Sequence, residues 1–581
     1  MNRTMVKLLG KYLKGFLKEA TIGPIFKLTE AIFELIVPLV MAQIIDVGVA
    51  NGDKGYVLRM GGVMILLGVV GLCCALVCQY FASKASQGVG TVMRNDLFRH
   101  ISTLSHAEID KIGTPSLINR ITNDVNQLQT AVAMLIRLVI RAPFLVIGAT
   151  VMAISIDWQM SGIFLTAMVL IALVLYLIMS RSIPFFKVVQ RLLDKISLIT
   201  RENLEGVRVI RAFSRQDTEK KRFAGACETQ SNTAIQVGKL SALLNPLTYI
   251  IVNLAIVAII WFGGYRVDGG ALTQGKLIAL VNYMTQIMLA MVVVANLVVI
   301  FTRAAASAAR VNEIFAVQSS IVPGEKEVQT VSGAPRVEWK DVSFGYGGSE
   351  EYALEHVKLQ VQPGETIGVI GGTGSGKSTL VNLIPRFYDV SEGVLLVDGV
   401  DVKEYPFTQL RKQIGVVLQR AVLFSGTIRE NMRWGDENAP DDQIWKALDI
   451  AQASEFVKKL PEGLDHKILQ GGKNLSGGQK QRLTIARALI GSPKILILDD
   501  SASALDFATD AALRRAIRKQ TQDMTVFMVS QRANTVKNAD KIVVLDDGGV
   551  AGIGTHDELF ERCEVYREIC LSQLSPEEVS R

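Results

Sequence analysis

The sequence predicts a two-part chain: an all-α domain of six membrane-spanning helices with long cytoplasmic helical extensions, fused to an α/β domain built on a parallel sheet. Three observations predict it. Apolar runs of about twenty residues or more, each long enough to cross ~30 Å of hydrocarbon, recur six times before residue 301. Beyond residue 337, short apolar runs without alternation take over, the pattern of strands buried on both faces of a parallel sheet. Between the apolar runs, segments 82–137 and 181–243 are long, helical in pattern and rich in Arg and Lys. Hydrophobic residues make up 49% of the 581, high for a soluble protein, and that average hides the split between the halves.

At the start of the chain, Lys7, Lys11, Lys14 and Lys18 recur at helical spacing among Leu8, Leu9, Tyr12, Leu13, Phe16 and Leu17. This is a basic amphipathic helix suited to the cytoplasmic membrane surface. No small-residue cleavage site follows a short apolar core, so no removable signal peptide is expected. The spans are expected near 21–46, 57–81, 138–157, 160–180, 244–264 and 276–301. Segments 47–56, 158–159 and 265–275 are short connections, whereas the two long ones are basic and so face the cytoplasm. Both termini are then cytoplasmic. The same placement accounts for the net charge of +7, so no nucleic-acid partner is expected. Cys73, Cys74 and Cys78 sit in an apolar run, and Cys227, Cys563 and Cys570 lack metal-ligand spacing, which reads as reduced thiols.

Within the first span Lys27, Glu30 and Glu34 fall on one helical face. Ionisable residues in a membrane face a bundle interior or a wet path, so Glu34 and Glu30 are candidate cavity residues favouring cationic or amphiphilic cargo. The alternative is that Lys27 snorkels and pairs with Glu30. The sixth span carries Asn282 and Gln286 at i, i+4, then Asn296, with a methionine row at Met284, Met288 and Met291. Thioethers can mould to varied apolar ligands, and they also serve as plain packing.

After a linker over 317–336, the α/β domain occupies 337–581. Gly371, Gly372, Thr373, Gly374, Ser375, Gly376, Lys377 and Ser378 fit the phosphate-loop pattern of Gly, four residues, then Gly-Lys-Ser/Thr. The loop follows the apolar run 366–370 and opens a helical pattern at Thr379, which is the strand–loop–helix context the motif requires. Glycines let backbone N–H groups wrap phosphates, Lys377 neutralises β/γ charge, and the Ser378 hydroxyl can ligate Mg²⁺. Downstream, Leu475, Ser476, Gly477, Gly478 and Gln479 open a second helix N-terminus, another anion-binding arrangement. The apolar run 495–498 ends in Asp499 and Asp500, at the sheet edge where α/β folds bind ligands. Together these point to a nucleotide triphosphate with Mg²⁺, and the resemblance set out next implies that it is ATP.

Phosphate loop, Leu-Ser-Gly-Gly-Gln, Asp499 and Ser503-Ala504-Leu505-Asp506 together resemble the nucleotide-binding domain of an ABC transporter. The resemblance covers the whole chain, whose membrane half is arranged like that of an ABC exporter half-transporter. It implies that Tyr346 stacks on adenine, that Gln419 contacts Mg²⁺ and senses the γ-phosphate, and that Asp499 holds Mg²⁺ through water. It also implies a helical subdomain over Leu423 to about Lys459, and a D-loop at Ser503–Asp506. Coupling helices are expected near Ser105–Leu117 and Gly206–Phe213.

Two positions break the family pattern: Asp500 stands where active members have Glu, and Gln531 where they have the switch His. Asp is one methylene shorter, so its carboxylate falls short by ~1.5 Å. A misplacement near 1 Å can cost ~10²-fold in rate. Gln531 can hydrogen-bond a γ-phosphate but cannot carry the charge or proton of a histidine. In the family two nucleotide domains meet head to tail, each ATP lying between one phosphate loop and the other chain's signature. The chain most resembles the degenerate half of a bacterial heterodimeric multidrug exporter. That implies a plasma-membrane protein whose partner supplies Glu and His, with a small amphiphilic or cationic substrate. Two alternatives stand beside it: a homodimeric exporter with Asp500 as a slow base, and an ATP-gated membrane regulator with little turnover. A hairpin is expected at 541–550 and an amphipathic helix over His556–Leu574, neither with assigned chemistry.

Overall fold

The computed structural model describes residues 3–325, 327–347, 351–520 and 523–573. Leu574, the expected end of the last helix, and Lys326 in the expected linker lie outside them. The chain divides into two units, Met1–Ile101 with Pro115–Ala316, and Ser102–Thr114 with Val317–Arg581.

The first unit is all helical. Its six candidate spans run over Arg3–Val49, Lys54–Ser102, Thr114–Ile156, Ser161–Glu205, Gln216–Asp268 and Gln274–Ala316, 43 to 53 residues each. At ~1.5 Å per residue even the shortest is roughly 65 Å long, twice the hydrocarbon thickness, so every expected span falls, to within one residue at its ends, in a helix longer than the bilayer is thick. The basic helix Arg3–Leu13 buries Met5, Leu8, Leu9 and Tyr12 and packs against Gln274–Ala316. Part of the apolar face expected on the membrane surface is thus covered by protein; Leu17 remains exposed. The connection at 158–159 is a tight turn because Asp157 Oδ1 accepts from the N–H groups of Gln159 and Met160. Asp157 also receives Arg266 Nε at 2.6 Å, which ties that turn to the end of the fifth span.

The spans pack through small and apolar side chains, among them Ala31, Ala149, Ala279 and Ile259. Met284 and Met288 are buried in that core, so these two thioethers are packing rather than a free lining. The polar face of the first span is charge-compensated: Lys27 Nζ lies 2.6 Å from Glu30, and Arg141 of the third span lies 2.6 Å from Glu34. Both carboxylates are thus paired within the fold, as a carboxylate in a low-dielectric setting recruits the cations the fold itself can supply. Asn282 is exposed and turned onto its own helix at Ile278 O, while Gln286 donates to Glu34 O. Tyr283 OH donates to Leu35 O at 2.6 Å between them, fastening the first span to the sixth.

In the second unit, a four-stranded antiparallel sheet (order 354–361, 337–344, 392–397, 400–401) lies in the same unit as a six-stranded one. The latter runs in the order 549–554, 541–546, 366–371, 525–529, 495–499, 414–417. Four of its five pairings are parallel, and Ile495–Asp499 and Thr525–Val529 are buried at every position, as their unbroken apolar runs require. The 541–546 and 549–554 strands form the expected hairpin through Asp547 and Gly548, both at positive φ. The expected final helix is two, His556–Arg562 and Glu564–Gln573, broken at the extended Cys563. The break is stable because the Arg567 guanidinium takes up the orphaned carbonyls of Phe560 and Glu561. The helical region from Leu423 is likewise divided, into Ile428–Met432, Asp441–Ile450 and Ser454–Lys459.

The helix His106–Ile112, within the first expected coupling segment, starts at a reciprocal Ser105–Glu108 cap. His106 lies over Phe387 at 4.7 Å and Asp110 accepts from Tyr388 OH at 2.9 Å. Val207–Ala212 forms a second short helix inside the other expected segment.

Candidate functional site

Four adjacent parallel strands deliver the site to one sheet edge. Thr366–Gly371 leads into the phosphate loop, Thr525–Val529 into Ser530 and Gln531, Ile495–Asp499 into Asp500, and Ile414–Val417 into Gln419. Register places Val529 opposite Asp499 and Val369, and Val417 opposite Leu498, so the four loops leave at one level. The cavity they enclose measures about 360 Å³. Its lining includes Tyr346, Thr373, Gly374, Gly376, Lys377, Ser378, Thr379, Gln419, Asp499, Asp500 and Gln531.

The phosphate loop bends as it does because two positions admit no side chain. A Cβ on Gly371 would meet Leu545 O at 2.1 Å, and Gly376, at φ +91°, would press one to 2.5 Å from Ala353 O. That conformation starts the helix Lys377–Asn382 and folds the Lys377 ammonium back over the loop, onto Gly371 O at 3.1 Å and Gly372 O at 2.5 Å. Burial lowers the Lys377 pKa, with Asp500 and Asp499 opposing the shift. Ser378 Oγ donates to Asp499 Oδ1 at 2.9 Å. Asp499 is 5% exposed, and burial pushes its pKa up against that hydrogen bond. Asp500 adopts φ +44°, a left-handed position that aspartate tolerates better than most residues, and Gln419 Nε2 lies 3.4 Å from its Oδ2. Burial raises the Asp500 pKa too. Ser378 and Asp499 thus meet beside an ammonium in a cavity that Gln419 also lines, and their oxygens are a donor set that fits a hard divalent cation and a polyphosphate.

Tyr346 stands at the cavity mouth, 43% exposed, its OH 3.1 Å from Thr379 Oγ1 and its ring edge-on to Phe344 and Tyr388. The signature stretch is not part of this cavity. Ser476 caps the helix Gly477–Ile490 by accepting from Gln479 N, and Gln479 Oε1 accepts from Ser476 N in return. Leu475 is buried as an anchor while Ser476 and Gly477 face solvent. The D-loop packs beneath: a Cβ on Gly478 would sit 3.1 Å from Ala504 O and near Leu505. Ser503 Oγ donates to Asp500 O at 2.8 Å, and Asp506 accepts from Thr509. The structure therefore gathers the phosphate loop, Gln419, Asp499, Asp500 and Gln531, and leaves Ser476–Gln479 outside that cavity, Ser476 and Gly477 exposed and Gly478 and Gln479 half-buried.

Two residues of the sites carried no sequence signal. Arg532 lies over the Phe507 ring and, after Gln419, opposes the burial-driven rise of the Asp500 pKa; a lone Arg after Gln531 fits no phosphate pattern. Arg141 partners Glu34 from 107 positions away, a distance no helical periodicity spans.

Two family profiles match the chain, the ABC transporter transmembrane region over residues 21–291 and the ABC transporter domain over residues 354–503. The chain is 38% identical over 575 residues to an uncharacterized ABC transporter ATP-binding protein of Mycobacterium tuberculosis (strain CDC 1551 / Oshkosh), covering 98% of each. It is 32% identical over 509 residues to an ATP-dependent lipid A-core flippase of Syntrophus aciditrophicus (strain SB), covering 86% of this chain and 84% of that one. Among solved structures, a bacterial Atm1-family ABC exporter with ATP bound shares the fold, with a TM-score of 0.77 at 22% identity over 99% of both chains. With six apolar helices, an ATP-type site and relatives of this extent, the chain belongs to the ABC transporters: it is a multi-pass half-transporter of the exporter type, in a family of ATP-hydrolysing transporters that function as dimers in a lipid bilayer.

Proposed function

We propose that this chain is the slowly hydrolysing half of a heterodimeric exporter of amphiphilic compounds, including drugs, in a bacterial plasma membrane, with both termini cytoplasmic. The observation that carries the reading is the pair Asp500 and Gln531 on one cavity wall. The residue placed to activate water is a short carboxylate drawn toward Gln419, and the one placed over the γ-phosphate cannot be protonated. Lys377 and the loop N–H groups would bind the phosphates, Tyr346 the base, and Ser378, Gln419 and Asp499 a Mg²⁺ that would neutralise phosphate charge. Ser476–Gln479, well capped and solvent-facing, would complete the partner's site, and Ser503–Asp506 would line the shared interface. In this scheme the membrane domain comprises 1–316, the linker 317–336 and the nucleotide domain 337–581.

Relatives named as lipid A-core flippases support an amphiphilic cargo. The Lys27, Glu30, Glu34 and Arg141 set is internally paired, so a zwitterionic or amphiphilic headgroup suits it better than a bare cation. The test is co-expression with a half-transporter carrying Glu and His at the two altered positions. A stable pair whose ATPase depends on the partner's Glu and survives Asp500→Asn supports the reading. Failure to associate, or loss of activity in Asp500→Asn alone, contradicts it and favours a homodimer.

A further inference from the structure

The first span consists of two segments that are held by different neighbours and meet at a proline. Helix Leu17–Gln43 runs through the buried Pro38, and a wider helical turn over Ile44–Val49 continues it. Proline has no N–H, so the carbonyl four residues back, Glu34 O, loses its partner within the helix, and the ring presses against that turn. Helix Gln274–Ala316 supplies what is missing. Gln286 Nε2 donates to Glu34 O at 3.2 Å, and Tyr283 OH, three residues earlier on the same face, donates to the next carbonyl, Leu35 O, at 2.6 Å.

Before Pro38 the segment is fitted to the third span. Glu34 pairs with Arg141, and Gly148 leaves room for Leu35, whose side chain would collide with a Cβ at that position. Beyond Pro38 the segment is clasped to the start of the sixth span. Asp46 accepts from Gly275 N at 2.7 Å and from Thr273 Oγ1 at 2.5 Å. A Cβ on Gly275 would collide with Ala42 O, so the two backbones touch there. This clasp lies at the end of the bundle where the connections 50–53 and 269–273 run. Gln286 is held lightly at its post: its Oε1 is buried without a hydrogen-bond partner among the described residues, so the amide is anchored through Nε2 to Glu34 O. A single neutral hydrogen bond contributes little net stability, so the joint opens at small cost.

We propose that Pro38 is a pivot in the transport cycle, with Gln286 and Tyr283 as the positioning residues that hold it closed. With both donors in place, segment 39–49 stays clasped at Asp46 and that end of the bundle is shut. When they let go, the missing N–H leaves the span free to bend at Pro38. Segment 39–49 then swings off Gly275 while the part before Pro38 stays on the third span. An exporter must open one end of its bundle to release cargo, and this joint divides the moving part of the span from the fixed part.

The test is hydrogen–deuterium exchange of the full-length chain, in its dimeric assembly in lipid nanodiscs, read on peptides covering 17–37 and 39–49. Gln286→Leu and Tyr283→Phe are each expected to speed exchange in 39–49 by about fivefold, the effect of one lost neutral hydrogen bond on an opening equilibrium, and to leave 17–37 unchanged. Pro38→Ala restores the N–H and closes Glu34 O within the helix. In that background Gln286→Leu is expected to change exchange by less than about twofold, whereas a proline that merely packs predicts the same effect in both backgrounds. Mg²⁺ with a non-hydrolysable ATP analogue is expected to raise exchange in 39–49 at least about threefold in the parent and not in Pro38→Ala. Equal Gln286→Leu effects with and without Pro38, loosening that spreads over 17–37, no nucleotide response in the parent, or a response that survives Pro38→Ala overturns the pivot. No readout depends on hydrolysis, so the result stands apart from the degenerate-site reading.

Discussion

Gln419 Nε2 lies 3.4 Å from Asp500 Oδ2, so the carboxylate proposed to act on water leans toward the amide of the neighbouring loop. Each leaves the C-terminal end of a neighbouring parallel strand, and the backbone at Asp500 is fixed at φ +44°. From that backbone position a side chain one methylene longer extends the carboxylate's reach by ~1.5 Å.

Asp500→Glu combined with Gln531→His is accordingly expected to raise hydrolysis at this chain's own site by ~10²-fold, the reverse of the loss expected from a misplacement near 1 Å. Single-turnover hydrolysis of bound ATP measures it. Gln531→His alone should give less, because a protonatable switch does not shorten the gap to water.

Ser378→Ala should weaken Mg²⁺-dependent nucleotide binding while leaving the fold intact. The hydroxyl's partner, Asp499 Oδ1, would remain as a buried carboxylate with its 2.9 Å hydrogen bond removed, a loss on the order of 1.5–3 kcal/mol for a bond to a charged group. Titration of ATP with and without Mg²⁺ should show the metal-dependent increment reduced and the metal-free affinity little changed.

The two aspartates set a pH dependence with a definite sign. Burial raises the pKa of both Asp499 and Asp500, so the folded domain holds protons to higher pH than the unfolded chain does. Without nucleotide, these groups make the domain less stable as pH rises from the ordinary aspartate range through their raised values. A Mg²⁺ held by Asp499, as proposed, would need that carboxylate deprotonated, so metal-dependent ATP binding should weaken on acidification at a pH above that where an exposed aspartate titrates. A calorimetric pH series on the parent and Asp499→Asn separates the two, since the variant loses the metal term at every pH.

In the membrane unit, Glu34→Gln or Arg141→Met should each destabilise the domain, and the two together by less than the sum. Removing one member leaves the other partly buried and uncompensated. Both side chains are partly exposed, 22% for Arg141 and 39% for Glu34, so the coupling is expected to be ~1–2 kcal/mol rather than that of a fully buried pair. A double-mutant cycle on thermal unfolding in detergent reads it.

The layout was legible in the sequence wherever local pattern fixes structure. Unbroken apolar runs gave the six spans and the parallel strands, and the Gly-rich turn gave the hairpin at Asp547–Gly548. Motif spacing marked the loops that Val529, Asp499 and Val417 bring to one level. What stayed hidden depends on groups distant in sequence. Arg141 neutralising Glu34, Arg532 beside Asp500, and Arg567 capping the helix broken at Cys563 are tertiary choices with no periodic trace. The burial of Met284 and Met288 likewise follows from which face of the sixth span its neighbours cover.

The most direct measurement is steady-state ATP hydrolysis by the purified chain without any companion, compared with its Asp500→Asn variant. The account predicts a rate near background in both, with ATP still bound. Rapid turnover by the chain alone, abolished by Asp500→Asn, would show that the shortened acid works as an ordinary base and would contradict it.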